Sequence, residues 1–199
     1  MREERYKSFL ASLLIGLGVF VLMKAPQPLG AILFAFGLLT ICKLGYSLFT
    51  GKCGFIAYED SKKIYLLYLI DILVVNLTSG YLIGAIIGLS DKDLKLKALA
   101  KVQSWSNNYF SILIGSILCG AIMYLAVKLF KEGTVLGILF GVPIFILSGF
   151  HHCIANIITL GLALTFTPKI VIMIVGNFIG SIIVSFAEQK GGVNNDKTA

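Results

Sequence analysis

Apolar runs as long as a bilayer is thick leave this chain few choices of fold. A helix needs about 20 apolar residues to cross the hydrocarbon core. Six segments of that kind follow one another, at 8–24, 29–50, 64–89, 108–130, 134–165 and 168–187. They consume most of the 199 residues, of which 57% are hydrophobic and 14% charged. A soluble domain carries about a quarter charged residues. No stretch is left for a soluble catalytic domain, so the sequence predicts one all-α integral membrane domain embedded in a lipid bilayer.

The amino terminus is polar and precedes an apolar run, as in a signal peptide. No small-residue cleavage site follows and further spans do, so 8–24 reads as the first transmembrane helix. The net charge of +7 does not indicate nucleic acid, because the basic residues are scattered over loops with no aromatic pattern among them. They fit a topology signal instead. With the amino terminus inside, Arg2, Arg5, Lys7, Lys52, Lys62, Lys63, Lys128, Lys131, Lys190 and Lys197 face the cytoplasm. The outer segments hold Lys24, Lys92, Lys95, Lys97, Lys101 and Lys169. The excess places both termini in the cytoplasm, in a multi-pass protein of the cell inner (plasma) membrane. Cys42, Cys53, Cys119 and Cys153 lack CxxC spacing and suggest neither disulfides nor a metal site, and no cofactor is expected.

The longer connections are 51–63 and 90–107, and the second has the pattern of a short amphipathic surface helix. Segments two and five each carry glycine and polar residues in mid-span. Segments three and six carry Asn76-Leu-Thr-Ser-Gly80 and Gly176-Asn-Phe-Ile-Gly180. Three spans plus three spans gives two halves of opposite orientation, a plan in which broken helices meet at a central site. Gly45, Gly51 and Gly149 are the expected backbone breaks. Most other glycines recur at three- or four-residue spacing, which suits close helix packing.

Gly30-Ala-x-Leu-Phe34-x-x-Gly37-Leu38 followed by Gly45-x-x-Leu48-Phe49-Thr50 resembles the second-helix signature of the formate/nitrite transporter family. Ser148-Gly-Phe-x-His152-x-Ile-Ala-Asn156 resembles its fifth-helix signature, and Val175-Gly-Asn-Phe-Ile-Gly180 its sixth-helix Gly-Asn pair. The resemblance implies an aquaporin-like inverted repeat with interrupted helices 2 and 5, assembled as a homopentamer. Residues 1–190 would be a single pore domain and 191–199 a polar cytoplasmic tail. It implies transport of a small inorganic or organic monovalent anion of a weak acid: formate, nitrite or hydrosulfide. It makes His152 the central histidine and Thr50 the threonine of the broken second helix. The hydrophobic constrictions would be Phe34 and Phe145 outside, and Leu38, Leu48 and Phe49 inside. Three positions depart from the family pattern. His151 stands where an acidic residue is usual, Gly120 replaces an asparagine, and Lys101 is the nearest candidate for a displaced outer lysine.

The residues themselves frame the chemistry. Phe145 and His152 are seven apart, so on a continuous helix they share a face about 10 Å apart along the axis. His151 would then point elsewhere, to packing or a subunit contact. A carboxylate faces a Born cost of about 20 kcal/mol in a medium of low dielectric. Lys101, with Lys24, would attract the anion; Thr50 and Asn156 would offer hydrogen bonds; His152 would supply or share a proton. Asp71 is expected to pair with Lys43 or Lys63, and Lys43 and Lys128 to snorkel. The competing readings are a membrane subunit of a redox or metabolic enzyme, which needs histidines on facing helices, and an assembly protein with no pathway.

Overall fold

The computed structural model describes residues 2–192. In chain order the helices are α1 (Arg2–Lys24), α2 (Leu29–Leu44), α3 (Phe49–Lys52) with a 3-10 continuation (Cys53–Tyr58), α4 (Lys62–Ser90), α5 (Lys92–Gln103), α6 (Tyr109–Lys131), α7 (Leu136–Leu147), α8 (Cys153–Leu162) and α9 (Lys169–Lys190). No strand occurs among the described residues. Four helices, α1, α4, α6 and α9, are each long and apolar enough to cross a membrane. The pair Leu29–Leu44 and Phe49–Tyr58 passes the same test together, bent by 57°. α7 and α8 are shorter apolar helices on either side of 148–152.

The two breaks are built alike. Gly45 ends α2 at φ 69° and Gly149 follows α7 at φ 71°, the left-handed region that a side chain resists. At the first, the Gly45 and Tyr46 amides bond back to the carbonyls of Cys42 and Ile41; at the second, those of Gly149 and Phe150 bond back to Ile146 and Phe145. Both are Schellman turns. Each is followed by three further residues before a new helix begins, at Phe49 or at Cys153. Gly51, read as a break from the sequence, instead lies inside α3, with a Val127 methyl 3.3 Å from where its Cβ would stand.

Backbone groups released at membrane depth cost several kcal/mol each unless re-bonded. Two buried asparagines re-bond them. Asn76 on α4 accepts the Phe49 amide at 2.9 Å and donates to the Ser8 and Ser47 carbonyls. Asn177 on α9 accepts the Cys153 amide at 2.8 Å and donates to the Ser116 and His151 carbonyls. Each half therefore holds its broken helix in the same way. The short helices then cross over: α8 packs on α4, and the 3-10 segment packs on α9. Small residues allow this. A Cβ on Gly84 would strike the Ile158 carbonyl, and one on Gly161 the Tyr81 carbonyl.

α5 is the surface helix expected in the 90–107 connection. Asp91 caps it by accepting the Leu94 amide, and Leu94 and Ala98 are buried beside Leu162 and Ala163. Several polar partners differ from expectation. Asp71 pairs with Arg5 at 2.7 Å rather than with Lys43 or Lys63, because α1 packs along α4. Lys128 does not snorkel; Glu188 at 2.9 Å and Glu132 at 3.7 Å hold it. The tail beyond Gly192 lies outside the described residues.

Candidate functional site

Two cavities approach each other from opposite ends of the bundle. The larger, about 510 Å³, opens beside α5 and reaches Phe34, Phe145 and His152. The smaller, about 140 Å³, opens beside the 3-10 segment and is lined by Leu38, Leu48, Lys52 and Lys131 among others. No carboxylate lines either. Between them the path is closed by packed side chains. The rings of Phe34 and Phe145 meet edge to face with centroids 6.2 Å apart, and Phe145 stacks on the His152 imidazole at 5.6 Å. These contacts bring together residues from α2, α7 and the second break.

His152 and Thr50 are 102 positions apart and meet at the centre, with Nε2 and Oγ1 2.8 Å apart. Both are buried, as each comes from a broken segment facing the other. His152 is not part of a continuous helix with Phe145. It sits in extended conformation as the N-cap of α8, and its Nδ1 accepts the Ala155 amide at 3.1 Å. Nδ1 is thus committed as an acceptor, so a neutral ring carries its proton on Nε2 and donates it to Thr50. The N-terminal end of α8, with its partial positive charge, points toward this centre.

The remaining expected residues are divided. Lys101 lines the α5-side cavity, with Lys97. Lys24 is instead paired with Asp91 at 2.7 Å. Asn156 faces the same cavity as Lys101, where its amide nitrogen approaches Nδ1 of His151 at 3.4 Å and Sδ of Met173 at 3.1 Å, and it does not join Thr50. Leu38 and Leu48 line the smaller cavity, while Phe49 lines neither and is held by its amide to Asn76. The break also corrects the reading of His151. With no continuous helix to turn it away, His151 lines the larger cavity alongside His152. Sequence reasoning passed over Trp105 in that cavity and the Lys52–Lys131 mouth at the other end. Among the described residues no group of three or more His, Cys, Asp or Glu could hold a metal.

A sequence profile described as formate/nitrite transporter matches residues 3–186. The chain belongs to that family. An uncharacterized transporter of Bacillus subtilis (strain 168), YrhG, is 30% identical over 177 residues, covering 79% of this chain and 64% of that protein. The chain therefore spans a little under two thirds of that relative's length. Among solved structures, an FNT family ion channel has a TM-score of 0.78 at 17% identity, covering 94% of this chain and 89% of the other. A pentameric formate channel with formate bound has a TM-score of 0.72 at 20% identity, covering 97% of each. At these identities the likeness concerns the fold. Within this formate/nitrite transporter fold, Gly120 has a local cause. A Cβ there would collide with the Asn177 backbone, so α6 and α9 touch where a side chain on α6 has no room.

Proposed function

We propose that this chain is a conduit for a small monovalent weak-acid anion, formate first and nitrite or hydrosulfide next. In this reading residues 1–190 form one pore domain, and five copies assemble with a pore in each. The protein sits in the inner (plasma) membrane with both termini cytoplasmic and the α5-side cavity outward. The observation that carries the proposal is the His152–Thr50 hydrogen bond at the bottom of a cavity that holds lysines and no carboxylate.

Lys101 and Lys97 raise the local anion concentration by long-range attraction. The Phe34 and Phe145 rings then present a dry constriction. A carboxylate entering it faces a desolvation cost of about 20 kcal/mol before relaxation, and the same desolvation raises the acid's own pKa, which favours its neutral form. His152 shares its Nε2 proton with Thr50, leaving the Thr50 hydroxyl hydrogen to point at the passing acid. A neutral imidazole does not surrender that proton outright, since imidazolate is far too basic. To become imidazolium, the ring would have to give up the Ala155 cap. The neutralising proton therefore comes from hydronium of the bulk phase, relayed by vestibule water, and His152 and Thr50 stabilise the acid by hydrogen bonding. Leu38 and Leu48 form the second constriction, and Lys52 with Lys131 re-attracts the anion once it ionises.

No observation favours the redox-subunit reading, because the two histidines are chain neighbours. Proteoliposomes loaded with buffer and challenged with formate, nitrite or hydrosulfide at two pH values test the proposal. Flux that His152→Phe reduces strongly is expected. Normal flux in that variant at every pH would sink the role given to His152.

A further inference from the structure

The α5-side cavity contains hydrogen-bond donors that the central pair does not use. Trp105, the single tryptophan of the chain, is 5% exposed and lines this cavity. Its indole and the imidazole of His151 meet edge to face at 6.1 Å. Asn156 donates toward Nδ1 of His151 at 3.4 Å, which leaves Nε2 to carry the ring proton. Among the described residues neither the Trp105 indole N–H nor His151 Nε2 has a hydrogen-bond partner, whereas no fully buried side-chain N or O lacks one. Neither atom is sealed off, and both side chains line this cavity, His151 also lining a recess of about 420 Å³ beside Gly115 on α6. The Lys169 ammonium fixes the backbone here by bonding the Trp105 carbonyl at 3.2 Å and Asn107 Oδ1 at 3.0 Å. Lys101 lines the same cavity, with no carboxylate to neutralise it.

The geometry points to a second anion station, ahead of His152–Thr50, formed by the indole N–H of Trp105, Nε2–H of His151 and the Lys101 ammonium. It takes a planar monoanion with two acceptor oxygens, a small carboxylate above all. Two N–H donors on neighbouring rings suit two oxygens of one anion, while hydrosulfide offers one soft, weakly accepting atom. This assignment rests on the conduction reading and adds selectivity to it. The central pair handles every substrate, and the Trp105–His151 pair prefers carboxylates before the phenylalanine rings are reached.

The single tryptophan makes the station its own reporter. Purified protein in nanodiscs, titrated with sodium formate against sodium chloride at constant ionic strength, is expected to show a saturable change in tryptophan emission with formate alone. His151→Phe should raise the half-saturating formate concentration about tenfold, the loss of one charge-assisted hydrogen bond. His151→Gln, which keeps an N–H donor, should recover most of it. In proteoliposomes Trp105→Phe should raise KM for formate with little change in maximal flux, and leave hydrosulfide flux unaltered. Equal saturation in wild type and His151→Phe, or a linear response to both salts, overturns the station while leaving conduction intact. Formate saturation lost in His151→Phe, from a protein with no flux, supports the station and removes the conduction reading.

Discussion

Replacing Asn177 by alanine should damage the fold more than its size suggests. The side chain is fully buried and makes three bonds of 2.8 Å, to the Cys153 amide and to the Ser116 and His151 carbonyls. The Ser116 carbonyl lies within α6. The other two groups belong to the break and its first helical residue, so truncation leaves both without this partner. Each orphaned buried group costs about 1–3 kcal/mol, so the pair costs about 2–6 kcal/mol. For a chain of this length, about 3 °C is lost per kcal/mol, which places the expected drop in Tm near 10 °C. A temperature ramp in detergent, read by the loss of the monodisperse size-exclusion peak, measures it. Asn76→Ala should fall by a comparable amount, because Asn76 holds the Phe49 amide and the Ser47 carbonyl in the same way. A drop below about 2 °C in either variant would refute the idea that these asparagines hold the broken segments in place.

Thr50→Val, nearly isosteric, removes the partner of His152 Nε2 and should lower formate flux about tenfold, equivalent to one hydrogen bond; unchanged initial rates in proteoliposomes would argue against a hydroxyl in the path. Gly84→Ala should prevent α4 and α8 from touching, because the new methyl falls on the Ile158 carbonyl; the expected outcome is loss of folded protein on size exclusion. Gly149→Ala meets no neighbour within 4 Å and incurs only the positive-φ strain of about 1–2 kcal/mol, a small shift on the same ramp. The Lys24 ammonium, aided by the Leu94 amide, holds the Asp91 carboxyl below the usual aspartate range. A depressed acid contributes its stability in full above its unfolded value and loses it as pH falls through its lower folded value. Wild type and Asp91→Asn should therefore differ in Tm near neutrality, and the difference should begin to shrink near about pH 4 and vanish only as pH falls through the lowered folded value.

The apolar runs were readable because hydrocarbon imposes length and composition on each span directly. α5 was readable from the spacing of Leu94 and Ala98 between lysines. The meeting of Thr50 and His152 was reachable only through family resemblance, since no periodicity connects positions so far apart. His151 was misplaced because an unbroken helix was assumed through it. Gly149 permits the break, but Asn177, on another helix, holds it open. Asn76 and Asn177 stood out as matching polar positions, yet their task depends on which amides face them. The charged pairs were missed for a related reason. Arg5 reaches Asp71, and Glu188 reaches Lys128, across helices whose adjacency the local pattern does not encode.

The crossed seating of the two short helices has a consequence for biogenesis. Each half lends its stub to the other, as two hands clasp, so neither can finish its own interior. A ribosome that has released the chain only to Leu162 has made the 3-10 segment but not the helix against which it rests. Until Lys169–Lys190 emerges, that segment must wait on the insertion machinery or on lipid, and the two halves mature together rather than in turn.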